Sequence, residues 1–245
     1  MQVVRGLGVS KELEDIAIAD AALTIGFALV LSGGIFGLSS ISFLYLLPIS
    51  FVAVSLSFVL HELMHKFVAQ RFGAMAAFRK SDNGIIITLV TSLFGFLIGL
   101  PGATVIYAPH FTSKEEGFVS LAGPLTNFVV FAVFFAAGSA LFPGFGNGVT
   151  NVIFGGGAGS ISYLQLAFSF IVFISIYLAF FNMLPIFPLD GSKVYRWNKA
   201  VFVGVIAVIF VLLTVVVPLV ALLPGMVFVL IIALVLSSFY RHVLF

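Results

Sequence analysis

Charged residues in this chain fall in a few short stretches, and the intervals between them are long and apolar. From Ala21 to Leu60 no charge occurs, a length that suits two membrane-crossing helices of about twenty residues each. Gly37 to Ser42 between them is rich in small residues and fits a tight turn. The pattern predicts helix 1 over about Ala21 to Leu38 and helix 2 over about Phe43 to Gly73, with Lys66, Arg71, Arg79 and Lys80 anchoring the far end of helix 2. Further long spans are expected over about Phe118 to Phe142, Ser160 to Asn182 and Ala200 to Leu222, and a shorter one over about Pro224 to Tyr240. The loop Pro143 to Gly159 is glycine-rich and uncharged, and reads as external.

Gly84 to Pro109 breaks the helical pattern. Ile85 to Thr91 is β-branched and strand-like, and Phe94 to Leu100 is interrupted by Gly95 and Gly99 and closed by Pro101-Gly102. A full span here would carry Lys114, Lys193, Arg196 and Lys199 to the side opposite Arg71 and Lys80. A segment that dips in and returns keeps the basic residues on one side, which the positive-inside bias favours. The stretch is therefore expected to be a strand-rich, re-entrant or interfacial hairpin that borders helix 2. Non-helical backbone at that depth must be covered by protein or line a wet cavity.

Composition fixes the class. The chain is 62% hydrophobic and 8% charged, with a mean hydropathy of +1.27, which excludes an ordinary soluble domain and points to a polytopic membrane protein. Cysteine is absent, so neither a disulfide framework nor a thiolate metal site is available. The net charge of +2 comes from dispersed Lys and Arg and gives no nucleic-acid footprint. Met1 to Asp20 is amphipathic and carries four acids, which argues against a cleaved signal peptide; Arg5 and Lys11 favour the cytoplasmic side. The expected fold is an all-α polytopic membrane protein of about six transmembrane helices with a small hairpin between helices 2 and 3. It forms one membrane-embedded domain over 1–245, in a cell membrane, with both termini cytoplasmic.

The chemistry concentrates in Val59-Leu60-His61-Glu62-Leu63-Met64-His65-Lys66. On a helix, His61 and His65 lie one turn apart on one face with Glu62 beside them, a two-imidazole clamp with a carboxylate in reach of what it holds. Two imidazoles and a carboxylate at the end of an apolar run are costly unless they coordinate or pair, so a metal outweighs a pair of satisfied core histidines. Zinc suits neutral imidazoles, and a catalytic zinc takes three protein ligands. Of the acids after helix 2, Glu115 and Glu116 sit in a polar loop and read as a solvated helix start. Asp190 follows Pro185 and Pro188, which end helix 4 and extend the chain, and Gly191 permits a sharp turn. Under this topology Asp190 reaches the membrane side that holds His61 and His65. A helix cap is the plainer role for an isolated Asp190. Leu121 to Asn127 opens helix 3 from the same face, with Pro124 in the first turn. Asn127 is either a packing amide or, with Asn182, one of two amide donors around a reacting carbonyl. His110 and His242 carry no such signal.

Taken together, His61-Glu62-x-x-His65, Ala122-Gly123-Pro124-x-x-Asn127 and Asn182-x-x-Pro185-x-x-Pro188-Leu189-Asp190-Gly191 resemble the site-2 protease family of intramembrane zinc metalloproteases. The resemblance covers about Leu60 to Lys193 and includes the family's catalytic core. It implies that His61, His65 and Asp190 bind one zinc ion, that Glu62 is the catalytic acid and base, and that Asn127 and Asn182 assist substrate or oxyanion binding. It also implies a transmembrane protein substrate that unwinds and lies as a strand beside the hairpin. Met64 and Ser192 depart from residues common in the family and leave every ligand in place. No soluble peptide-binding insertion is present, so substrate selection is expected to rest on the membrane part or on separate partners. A metal transporter using the same three residues is the rival class, although the internal repeat of many transporters is absent. A third reading keeps the enzyme and gives it soluble or lipidated peptides.

Overall fold

A computed structural model describes residues 9–108, 110–146, 149 and 161–216. The elements in order are α1 (Val9–Ser32), α2 (Ile41–Val54), a π turn (Ser55–Val59), α3 (Leu60–Arg71), β1 (Met75–Lys80), α4 (Asp82–Leu93), β2 (Gly102–Tyr107), α5 (Ser113–Leu141), α6 (Tyr163–Asn182), α7 (Asp190–Trp197) and α8 (Lys199–Val216). Four helices among the described residues are long and apolar enough to cross a membrane: Val9–Ser32, the continuous Ile41–Arg71, Ser113–Leu141 and Tyr163–Asn182. Six spans were expected. The described part of α8 falls short of that length, and the helix expected over 224–240 lies outside the described residues.

Helix 1 begins twelve residues earlier than expected, at Val9 instead of Ala21. Three of the four acids before Ala21 are therefore part of the packing. Glu12, Asp15 and Asp20 are all buried, and each has found a partner. Glu12 accepts from Lys66 Nζ at 2.6 Å and from the Phe78 amide at 3.1 Å. Asp15 pairs with Arg79 at 3.6 Å, and Asp20 accepts from Ser55 Oγ at 2.8 Å. Buried carboxylates in an apolar surrounding persist only with such compensation.

Helix α3 follows α2 without a break in the chain direction. The π turn at Ser55–Val59 winds an extra residue into one turn, so the face of α3 is out of phase with that of α2 by about 100°. Ser57 in this turn meets Ser175 of α6 at 2.8 Å, both buried. Helix α6 stands at the centre of the molecule. One side packs with Leu23, Phe27, Ile49 and Val54 of α1 and α2, the other with Phe131, Val194 and Ile209 of α5, α7 and α8.

The segment 84–109 corrects the sequence reading in its parts. Ile85 to Thr91 is helical, within α4, and the strands lie on either side: β1 pairs antiparallel with β2 from Met75↔Tyr107 to Lys80↔Gly102. Strand preference is weak against tertiary context. Here Ser81 caps the helix through the Gly84 amide, and Thr88 and Thr91 return their hydroxyls to the carbonyls of Gly84 and Ile87 at 2.8 Å. The same two threonines serve the extended return, since Leu100 N donates to Thr88 Oγ1 and Ile98 N to Thr91 Oγ1. With 12 residues, α4 is too short to cross a bilayer.

Removing Glu12 strands a lysine and a backbone amide in a buried position. Glu12→Ala should cost about 3 kcal/mol, read as a lowered unfolding midpoint in detergent, while Glu14→Ala on the exposed side should leave the midpoint nearly unchanged.

Candidate metal centre and catalytic site

His61 and His65 face the core because they stand one turn apart on α3. Opposite them α5 presents a stripe at the same spacing, Val119, Gly123 and Asn127. The Val119 carbonyl accepts from His65 Nδ1 at 2.7 Å. Asn127, fully buried, lies with Nδ2 3.2 Å from His61 Nδ1. Gly123 stands between them. A Cβ on Gly123 would lie 2.5 Å from His61 Nε2 and closer still to His65 Nε2, so only glycine leaves this space open.

Helix α7 delivers the third group. Asp190 Oδ2 lies 3.4 Å from His61 Nε2 and 3.0 Å from His65 Nε2, and the two Nε2 atoms are 3.0 Å apart. All three residues are buried. Asp190 is the first residue of α7, where the helix end favours an anion, and Lys193 approaches Oδ1 at 3.9 Å. Gly191 serves a close approach: its backbone passes so near the Met183 and Leu184 carbonyls that a side chain would collide with them.

The donor set fits a metal ion. A carbonyl can only accept, so His65 Nδ1 carries the proton and its Nε2 presents a lone pair. At His61 the side-chain amide of Asn127 decides. With Nδ2 toward the ring, Asn127 Oδ1 is buried without a hydrogen-bond partner. Turning the amide over lets Oδ1 accept from His61 Nδ1–H, satisfies the orphan and frees the His61 Nε2 lone pair. Two lone pairs and a carboxylate then converge on one space, which is stable only around a cation. Two imidazoles and an oxygen ligand, each imidazole held from behind through its Nδ1–H, are the donor set of zinc.

Glu62 points elsewhere on α3 and meets β2. Its Oε2 accepts from Thr104 N at 2.8 Å and from Thr104 Oγ1 at 2.8 Å, and Thr104 Oγ1 also lies 3.0 Å from the Glu62 carbonyl. The residue is half-buried.

The structure thus brings His61, His65 and Asp190 together and sets Glu62 beside them. Asn127, expected on the substrate side, contacts a ligand imidazole from behind. Asn182 donates Nδ2 to Leu178 O of its own helix at 3.0 Å. Pro124 is interior to α5, which starts at Ser113, and not in a first turn as read from the sequence; its ring leaves the Ser120 carbonyl without a helical donor. Glu115 and Glu116 do form a helix start, Glu115 in a capping box with Thr112. His110 is exposed and apart from the site, and His242 lies outside the described residues. Sequence reasoning missed Val119 and Thr104. The four-residue spacing of 119, 123 and 127 against 61 and 65 was the available signal for the first; nothing local marks the second.

Apolar spanning helices around a buried His, His, Asp cluster with an adjacent glutamate define a membrane-embedded metal-dependent hydrolase. The family described as Peptidase family M50 matches residues 49–204, and the chain belongs to it, the site-2 protease family. A curated protein named "Putative zinc metalloprotease MJ0611", from Methanocaldococcus jannaschii, is 40% identical over 155 residues, covering 63% of this chain and 72% of the relative. No solved structure matches the chain significantly. The enzyme class is that of a zinc metalloprotease, and the transporter reading is not favoured.

Gly123→Ala places a methyl group between the two ligand nitrogens. Zinc affinity should fall at least about tenfold, measured by metal content after competition with a chelator, with helix content by circular dichroism unchanged.

Proposed function

We propose that this chain hydrolyses a peptide bond in or next to a transmembrane segment of a membrane protein. The observation that carries this reading is the position of the site: a buried cluster His61, His65, Asp190, built on helices of membrane-crossing length, with Glu62 reaching the edge strand of a two-stranded sheet.

Zinc, when bound, supplies Lewis-acid polarisation of the carbonyl and lowers the pKa of water toward about 7. The residues of the chain do the rest. His61 and His65 are fixed in the tautomer that presents Nε2, by Asn127 and by the Val119 carbonyl. Asp190 neutralises charge and completes the ligand set. Glu62 is the group positioned to take a proton from the attacking water and pass it to the leaving amine. Both bonds from Thr104 go to Oε2, which leaves Oε1 for that proton. Asn182 ends the helix that leads to Asp190, and an oxyanion role for it requires that its amide leave Leu178 O.

A helical substrate hides its backbone in its own hydrogen bonds, so cleavage needs local unwinding. The sheet β1–β2 supports this step, because an edge strand offers hydrogen bonds to an extended peptide. The bilayer is the second partner, and both termini face the cytoplasm in this reading, with basic Lys66, Arg71, Lys80 and Lys193 on the same side as the site.

Glu62→Gln should retain zinc and lower cleavage of a transmembrane reporter in liposomes by about 10²- to 10⁴-fold. Undiminished turnover would refute the role given to Glu62. A wild-type enzyme that cuts soluble peptides and leaves the embedded reporter intact would redirect the substrate class.

A further inference from the structure

Backbone hydrogen bonds around the sheet place Thr104 at a point of competition. In the antiparallel ladder Phe78 stands opposite Thr104. The Phe78 amide donates to Glu12 Oε1 at 3.1 Å and the Thr104 amide to Glu62 Oε2 at 2.8 Å, so neither is spent on the partner strand. This is a pair whose N–H groups point away from each other and out of the sheet. The Thr104 N–H therefore points out of the free edge of β2, and Glu62 Oε2 sits where the carbonyl of an added strand would accept. Among the described residues no third strand covers this edge.

We propose that Thr104 is a positioning residue for Glu62, and that its hydroxyl holds the carboxylate when a substrate strand takes its N–H. The proposal rests on the reading above, in which an extended substrate adds to β2. One N–H cannot serve two strong acceptors, so strand addition costs Glu62 one of its two bonds at Oε2. The hydroxyl is on the side chain and outside the ladder. Its oxygen lies 2.8 Å from Oε2 and 3.0 Å from the Glu62 carbonyl, and its single proton goes to Oε2, the charged and nearer acceptor. Held there, Oε2 is fixed and Oε1 remains directed to the reaction. Release of the N–H thus couples the arrival of the substrate to the freedom of the catalytic carboxylate, and the hydroxyl limits how far that freedom goes.

Two substitutions separate this from packing. Thr104→Val keeps the shape and deletes the hydroxyl; Thr104→Ser keeps the hydroxyl and deletes the methyl group. In liposomes with a transmembrane reporter, Thr104→Val should lower kcat by about tenfold or more, with KM unchanged or lower and zinc content unchanged. Thr104→Ser should stay within about threefold of wild type. A packing role gives the opposite order, because valine preserves the bulk. Equal kcat in Thr104→Val and wild type overturns the proposal, and so does a serine variant as impaired as the valine one. Amide exchange at residue 104 tests the contact without any turnover: Glu62→Ala should speed it by about tenfold or more, and unchanged exchange overturns the proposal even where the valine variant does not fold. A wild-type protein inert on the embedded reporter would count against the protease reading while leaving the exchange result to decide this one.

Discussion

Everything at this site depends on how closely α5 approaches α3 at Gly123. Burying two imidazoles and a carboxylate in so apolar a chain is expensive, and the cost is offset only if every polar atom finds a partner. Close approach makes that possible. With hydrogen in place of a side chain at 123, the residues one turn to either side reach the backs of the rings, a carbonyl at 119 for His65 and an amide at 127 for His61. The rings are then fixed from behind and their Nε2 atoms face one space. Small residues at a helix contact are a general device for helix packing in membranes; at this contact the small residue also creates the volume in which the chemistry takes place.

A second set of buried charges holds the sheet to this pair of helices. Glu12 of α1 joins Lys66, the residue after His65, to the Phe78 amide of β1. Strand β1 positions β2, and β2 returns to α3 through Thr104 and Glu62. The path closes on itself: α1, α3, β1, β2 and again α3. A carboxylate caps an outward amide at each side of the sheet, Glu12 on one and Glu62 on the other. The two caps look alike, but Glu12 is buried and paired to lysine, whereas Glu62 is half-buried and bonded to Thr104 alone among the described residues.

Much of this was legible in the chain. His61, Glu62 and His65 announce themselves by spacing, and Asp190 follows from Pro185 and Pro188 after the span read over Ser160 to Asn182 and from the side of the membrane they imply. What was misread has physical causes. The β-branched run Ile85 to Thr91 looked like a strand, yet its threonines close back on the helix and hold the return segment, an option no propensity scale contains. The burial of Glu12 was not visible in the chain because its partners, Lys66 and Phe78, are more than fifty residues away. Pro124 looked like a first-turn proline because the polar residues before it, from Ser113, resemble a loop until the capping box of Thr112 and Glu115 is seen.

The open edge of β2 invites a last step. A backbone N–H in an apolar surrounding needs an acceptor, and Glu62 supplies it to Thr104. A carboxylate is a good acceptor, and a peptide carbonyl in a paired strand is another. In the proposed reading an edge capped by Glu62 has two satisfied states, one with Glu62 bound to Thr104 N–H and one with a substrate strand in its place. Exchange between them exposes neither an unpaired donor nor a free carboxylate to the membrane, provided the Thr104 hydroxyl remains on Glu62. That constraint explains why a hydroxyl suits this position: valine, of the same shape as threonine, lacks the donor.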